Sequence, residues 1–99
     1  MAKYFLTNKA VEDLSNIWEY TYEVWSEDQA DKYYELLIDA CRAISENLAM
    51  GKSYDEIDKN ILGYRINQHI IFYRLSAPNE IEVLRILYGR MDLKNRIQE

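Results

Sequence analysis

Two hydrophobic periods run through this chain. Residues Ala10, Leu14, Ile17, Thr21 and Val24 recur at spacings of three and four, which draws one stripe along a helix. Trp18, Tyr20, Tyr22 and Trp25 widen the stripe, and an aromatic stripe at helical spacing reads as core. Glu12, Asp13, Glu19 and Glu23 keep the other side wet. Thr7 or Asn8 suits the N-cap, so the pattern predicts a helix over Asn8–Val24. Ser26-Glu27-Asp28-Gln29 matches a capping box, with Ser26 reaching forward and Gln29 reaching back. A second helix, Glu27–Met50, follows with Ala30, Tyr33, Leu37, Ala40, Cys41, Ile44 and Leu48 on its inner face. Gly51 is its expected stop, in the left-handed conformation that glycine adopts freely. So short a connection makes the two helices an antiparallel hairpin.

The second half changes period. Tyr64–Leu75 and Ile81–Tyr88 are rich in β-branched and aromatic residues, and the break between them holds the only proline beside an asparagine. They read as antiparallel strands joined by a short turn. A turn at Asn67-Gln68 pairs Tyr64-Arg65-Ile66 with the strand that starts at His69. A turn over Ala77 to Glu80 sets Arg74 opposite Val83 and Phe72 opposite Arg85. In that register Ile71, Tyr73, Leu75, Leu84, Ile86 and Tyr88 lie beneath the helices. Arg65, Ile70, Phe72, Arg74, Val83, Arg85 and Leu87 form an opposite face that the chain leaves uncovered. Lys3–Thr7 reads as an edge strand, Lys52–Asn60 as a polar surface loop, and Met91–Glu99 as a tail of helical propensity with few apolar anchors.

Composition narrows the class. The 99 residues, 48% hydrophobic and 29% charged, predict one α+β domain over residues 1–99. It consists of an N-terminal helix hairpin packed on a three- to four-stranded antiparallel sheet. No apolar run reaches the roughly 18–20 residues of a membrane span, so no membrane association is expected. The N-terminus has no basic region followed by an apolar core, and the single Cys41 fits a reducing cytoplasm. A net charge of −5 argues against direct nucleic-acid binding. The acid is concentrated early, with ten acidic against four basic side chains in residues 1–50.

No spacing matches a metal site, a phosphate loop or a nucleophile elbow, so neither metal nor cofactor is expected. The single His69 reads as structural. Arg65, Arg74, Arg85 and Arg90 could clamp phosphate, but with no credible base and no basic surround they read as protein contacts.

The order and spacing of several segments resemble the ParE branch of the RelE/ParE toxins. They are Leu6-Thr7 with Ala10, Asp13-Leu14 with Ile17, Tyr20-Thr21 with Trp25, and Gln29-Ala30 with Tyr33. Tyr64-Arg65, His69–Arg74, Ile81–Tyr88 and Arg90-Met91-Asp92 complete the set. The resemblance covers nearly the whole chain. It implies a RelE/ParE-like fold and the toxin of a type II toxin–antitoxin pair, of the kind associated with plasmid stabilisation. It also implies a cytoplasmic, non-catalytic inhibitor of DNA gyrase, neutralised by a cognate antitoxin whose C-terminal segment wraps the toxin. Any contact with DNA would run through the antitoxin. The alternative is the RelE-like activity, ribosome-dependent cleavage of messenger RNA. Ser26 stands where these toxins commonly have glycine, Leu48 where proline is usual, and Tyr88 where histidine is common. The tail has neither tyrosine nor histidine, which favours the ParE-like activity. The residues expected to meet antitoxin or target are Arg65, Ile70, Phe72, Arg74, Val83, Arg85, Arg90 and Met91. For toxicity the Arg85, Arg90 and Met91–Glu99 region is expected to matter most.

Overall fold

Thr7 ends the first strand and starts the first helix. Its backbone N–H donates to Val83 O at 3.1 Å. Its hydroxyl donates to Leu84 O at 2.8 Å and accepts from the Ala10 N–H at 3.1 Å, so one side chain joins sheet to helix. The computed structural model describes residues 3–90 together with Leu93 and Ile97. Elements follow in the order β1 (Lys3–Leu6), α1 (Asn8–Val24), α2 (Glu27–Glu46), a 3-10 turn (Leu48–Met50), β2 (Lys52–Ser53), β3 (Leu62–Ile66), β4 (His69–Ala77) and β5 (Glu80–Tyr88).

α1 occupies the predicted span. α2 stops at Glu46, four residues before the expected end, with Asn47 capping it, and a 3-10 turn carries the chain on to Gly51. Ser26 caps α2 by accepting from the Gln29 N–H. Gly51 is not left-handed: its φ is −86°. Space fixes it instead, because a Cβ there would overlap the Tyr73 hydroxyl and reach 2.9 Å from Gly63 O. That hydroxyl accepts from the Gly51 N–H at 3.0 Å and donates to Leu48 O at 3.2 Å, tying the end of the helical segment to β4.

The five strands run in the order β1-β5-β4-β3-β2, one or two more than expected. β1 is an edge strand, but it pairs parallel to β5, with Leu6 against Val83. The other pairings are antiparallel. Asn67-Gln68 forms the predicted two-residue turn, with Asn67 at φ 52° and Ile66 opposite His69. The β4–β5 register holds in part. Phe72 does face Arg85, yet Arg74 faces Glu82 and not Val83, because an irregularity between Phe72 and Tyr73 leaves Leu84 without an opposite number.

That one extra residue exchanges sides within β5. Val83 joins the helix-side core with Ile71, Tyr73, Ile81 and Ile86, against Leu14, Leu37, Cys41 and Ile44. Leu84 moves to the opposite side. Leu75, expected under the helices, is 53% exposed near the turn.

The opposite face is not open either. Ile70, Phe72 and Leu87 are 2%, 0% and 3% exposed, closed over by Tyr54, Ile57 and Ile61, with Leu93 and Ile97 alongside. Residues 54–61, read as surface loop, therefore carry a second small core. Tyr54 meets Phe72 edge-on at 5.2 Å. Conversely, the far half of α1 is bare. Ala10 and Leu14 are buried, but Tyr20, Tyr22, Val24 and Trp25 are each at least half exposed, correcting their reading as core. No helix among the described residues is long and apolar enough to cross a membrane.

Candidate functional site

β5 loses its neighbour after Val83, where β1 ends and α1 begins. An uncovered strand edge invites unwanted pairing, and Asp13 closes it. Its carboxylate accepts from the Ile86 N–H at 3.0 Å and from Arg85 Nε and Nη2 at 2.8 and 3.0 Å. Both side chains of the pair are 11% exposed. Arg85 therefore serves the fold, in contrast to its expected place on an open arginine-lined face.

Beyond this pair lies a groove of about 1290 Å³. One wall is the 53–62 segment, with Asp55, Asp58, Lys59 and Asn60. The other is built from Arg74 and Leu75 on β4, Glu82, Leu84 and Arg85 on β5, and Asn8 and Lys9 where α1 starts. Such a volume exceeds the roughly 300–1,000 Å³ of small-molecule sites and suits a peptide segment. Arg74 is half exposed and forks onto Glu82, with Nε at 2.9 Å and Nη2 at 2.8 Å from Oε1. In water such a pair is weak, about 0–1 kcal/mol, so a partner's carboxylate can displace Glu82 at little cost.

Of the residues expected at a binding surface, the groove unites Arg74 and Arg85 only. Arg65 is exposed on β3, its guanidinium against Gly89: a Cβ there would come within 2.9 Å of both terminal nitrogens. Arg90 is exposed just past β5. Ile70, Phe72 and Val83 are buried, and Met91 lies outside the described residues. Sequence reasoning missed the wall formed by residues 53–62. Its signal was the spacing of Tyr54, Ile57 and Ile61, masked by the charged residues between them.

A second cluster surrounds His69. Tyr33 Oη lies 2.6 Å from His69 Nδ1, and the Tyr88 ring meets the imidazole edge-on at 5.9 Å. Burial lowers the His69 pKa, against the opposing pull of the Asp13 charge. Burial raises that of Tyr33, while the Gln68 backbone N–H donates to its oxygen and partly offsets the rise. Burial thus favours the uncharged form of both rings, and a hydrogen bond joins them. The pair ties α2 to β4, which fits the structural role expected of His69. Among the described residues no three His, Cys, Asp or Glu side chains are grouped to hold a metal ion.

Comparison with known proteins places the chain. The model of the family described as ParE toxin of type II toxin-antitoxin system, parDE, matches residues 4–93. Toxin ParE1 of Mycobacterium tuberculosis is 32% identical over 96 residues, covering 97% of this chain and 98% of that protein. Toxin ParE1 of Caulobacter vibrioides is 32% identical over 98 residues, covering 95% and 96%. Among solved structures, a chain of the chromosomal ParDE TA system from P. aeruginosa superposes with a TM-score of 0.74. It is 18% identical and covers 89% of this chain and 95% of its own length, which supports the shared fold.

Proposed function

The chain belongs to the ParE toxins of type II toxin–antitoxin systems, and on that premise we propose that it works by binding, in two opposed contacts. One partner is a cognate antitoxin, whose C-terminal segment lies in the groove between residues 53–62 and β4–β5. The other is DNA gyrase, inhibited once the antitoxin is gone. Both contacts would take place in the cytoplasm.

The groove carries the antitoxin part of this reading. Its floor offers apolar Leu75 and Leu84, and its rim offers Arg74 with only a surface carboxylate to displace. An amphipathic, partly acidic segment matches both features. Ile70 and Phe72 are buried behind residues 54–61 and Val83 in the helix-side core, so none of the three faces the partner. The family supports the gyrase part, together with the engagement of the one imidazole by Tyr33. A stoichiometric inhibitor needs differential affinity for one state of its target and no tuned acid or base.

Co-purification with the product of the adjacent gene tests the first contact, using Arg74→Glu and Leu75→Asp. Each is expected to weaken the complex about tenfold or more, as loss of an anchor residue does. Unchanged affinity in both would place the antitoxin elsewhere. Purified gyrase supercoiling and DNA cleavage, set beside ribosome-dependent messenger RNA cleavage, tests the second. Codon-positioned RNA cuts with gyrase unaffected would replace the inhibitor reading with the nuclease one. His69→Ala is expected to leave inhibition intact wherever the variant folds.

A further inference from the structure

Among the described residues the most exposed large apolar side chains are not at the groove. They lie at the far end of α1, roughly 24 Å from Asn8 at 1.5 Å per residue. Trp18, Tyr22 and Trp25 stand at helical spacings of four and three, hence on one side of the helix. Trp25 is 72% exposed and Tyr22 50%. Two of the rings are braced: Trp18 and Tyr22 stack at 5.3 Å and 17°, and Trp18 Nε1 donates to Asp31 Oδ1 of α2 at 3.0 Å. Large exposed rings grouped on one side of an acidic stretch of helix mark an interaction surface.

The charge around them selects the occupant. Between residues 12 and 35 the hairpin carries eight acidic side chains and one basic, Lys32. Asp13 is committed to Arg85. Among the described residues none of the others has a cationic partner within salt-bridge distance. The field repels nucleic acid, anionic lipid and a second copy of the same face. It attracts lysine and arginine, whose cations also stack favourably on tryptophan and tyrosine.

We propose that this aromatic and acidic face is the surface with which the toxin docks on its target, meeting a lysine- and arginine-rich protein surface. The proposal rests on the reading that the target is gyrase, an enzyme that must present such basic surfaces to hold DNA phosphates. Docking then uses the opposite end of α1 from the antitoxin groove.

The test is supercoiling by the gyrase holoenzyme, titrated with wild-type toxin, Trp25→Ser, and Glu19→Lys combined with Glu23→Lys. All three positions are exposed, so melting curves should match wild type. Each variant is expected to need about tenfold more toxin or more for the same inhibition. The wild type should weaken with added salt more steeply than the charge variant. Wild-type inhibition with unchanged variants overturns this inference and leaves the gyrase reading standing. Variants that keep inhibiting but lose the antitoxin, or lose self-association, overturn it as well by giving the face another occupant. A wild type with no effect on gyrase removes the target reading and this inference together.

Discussion

Arg85 and Asp13, 72 positions apart, form a two-point ion pair in which the carboxylate also receives the Ile86 N–H. Three donors converge on one carboxylate where β5 would otherwise be a bare edge. Asp13→Ala should cost roughly 3–5 kcal/mol, because it leaves a largely buried guanidinium without its carboxylate. Replacing both partners, Asp13→Leu with Arg85→Met, should cost less than Asp13→Ala alone. Urea unfolding of the three proteins decides it, and a double variant as unstable as Asp13→Ala would contradict the account.

Cavities in the helix-side core should be expensive, and truncations at the hairpin tip should not. Leu14→Ala and Leu37→Ala remove side chains that are 2% and 0% exposed, each for roughly 2–5 kcal/mol. Trp25→Ser should stay within about 0.5 kcal/mol, as surface changes do. Thermal melts that reversed this order would move the core away from where β4, β5 and the helices meet.

His69 should make stability depend on pH. Its folded-state pKa is lowered, chiefly by burial, below the ordinary 6.5. As pH falls through 6.5 the unfolded chain therefore takes up a proton that the folded chain refuses. This contribution to stability is complete above 6.5, shrinks as pH falls, and levels off below the folded-state value. Denaturant unfolding between pH 7.5 and 5 should show the decline in wild type and a shallower one in His69→Gln. Parallel profiles would mean that the imidazole does not titrate differently on folding.

Cys41 should be silent until the chain opens. It is fully buried, and desolvation pushes its thiol up to about 12. A disulfide reagent at pH 8 should react with native protein only at the rate of unfolding, and at once in denaturant. Fast, stoichiometric labelling of native protein would show an access route to α2.

The pattern in the chain is informative wherever one element decides its own form. α1 runs over its predicted span because Thr7 and the apolar stripe act locally. The Asn67-Gln68 turn is equally local, since Asn67 tolerates positive φ. What escaped depends on neighbours distant in sequence. One bulge at Leu84 exchanged Val83 with Leu84 across the sheet, and no periodicity forecasts a bulge. Trp25 and Tyr22 carry the same hydrophobic signal as core residues. They are bare because the core beneath α1 stops near Leu14 and Ile17. Within the candidate site, Arg74 and Arg85 could be named in advance, but the partners Glu82 and Asp13 that give them different tasks could not. Tyr54, Ile57 and Ile61 covered the face that seemed open.

The parallel pairing of β1 with β5 sets an order on synthesis. Residues 3–6 leave the ribosome well before their partners, residues 80–83, and Asp13 waits for Arg85 and Ile86. The helix hairpin and the β3–β4 turn close locally, whereas the outermost strand can be added only when the last one exists. Such late, long-range closure is slow and has no early substitute. A chain cut short before residue 80 lacks the partner strand of β1 and the part of the groove built on β5. An interrupted message therefore yields a fragment that cannot complete the sheet.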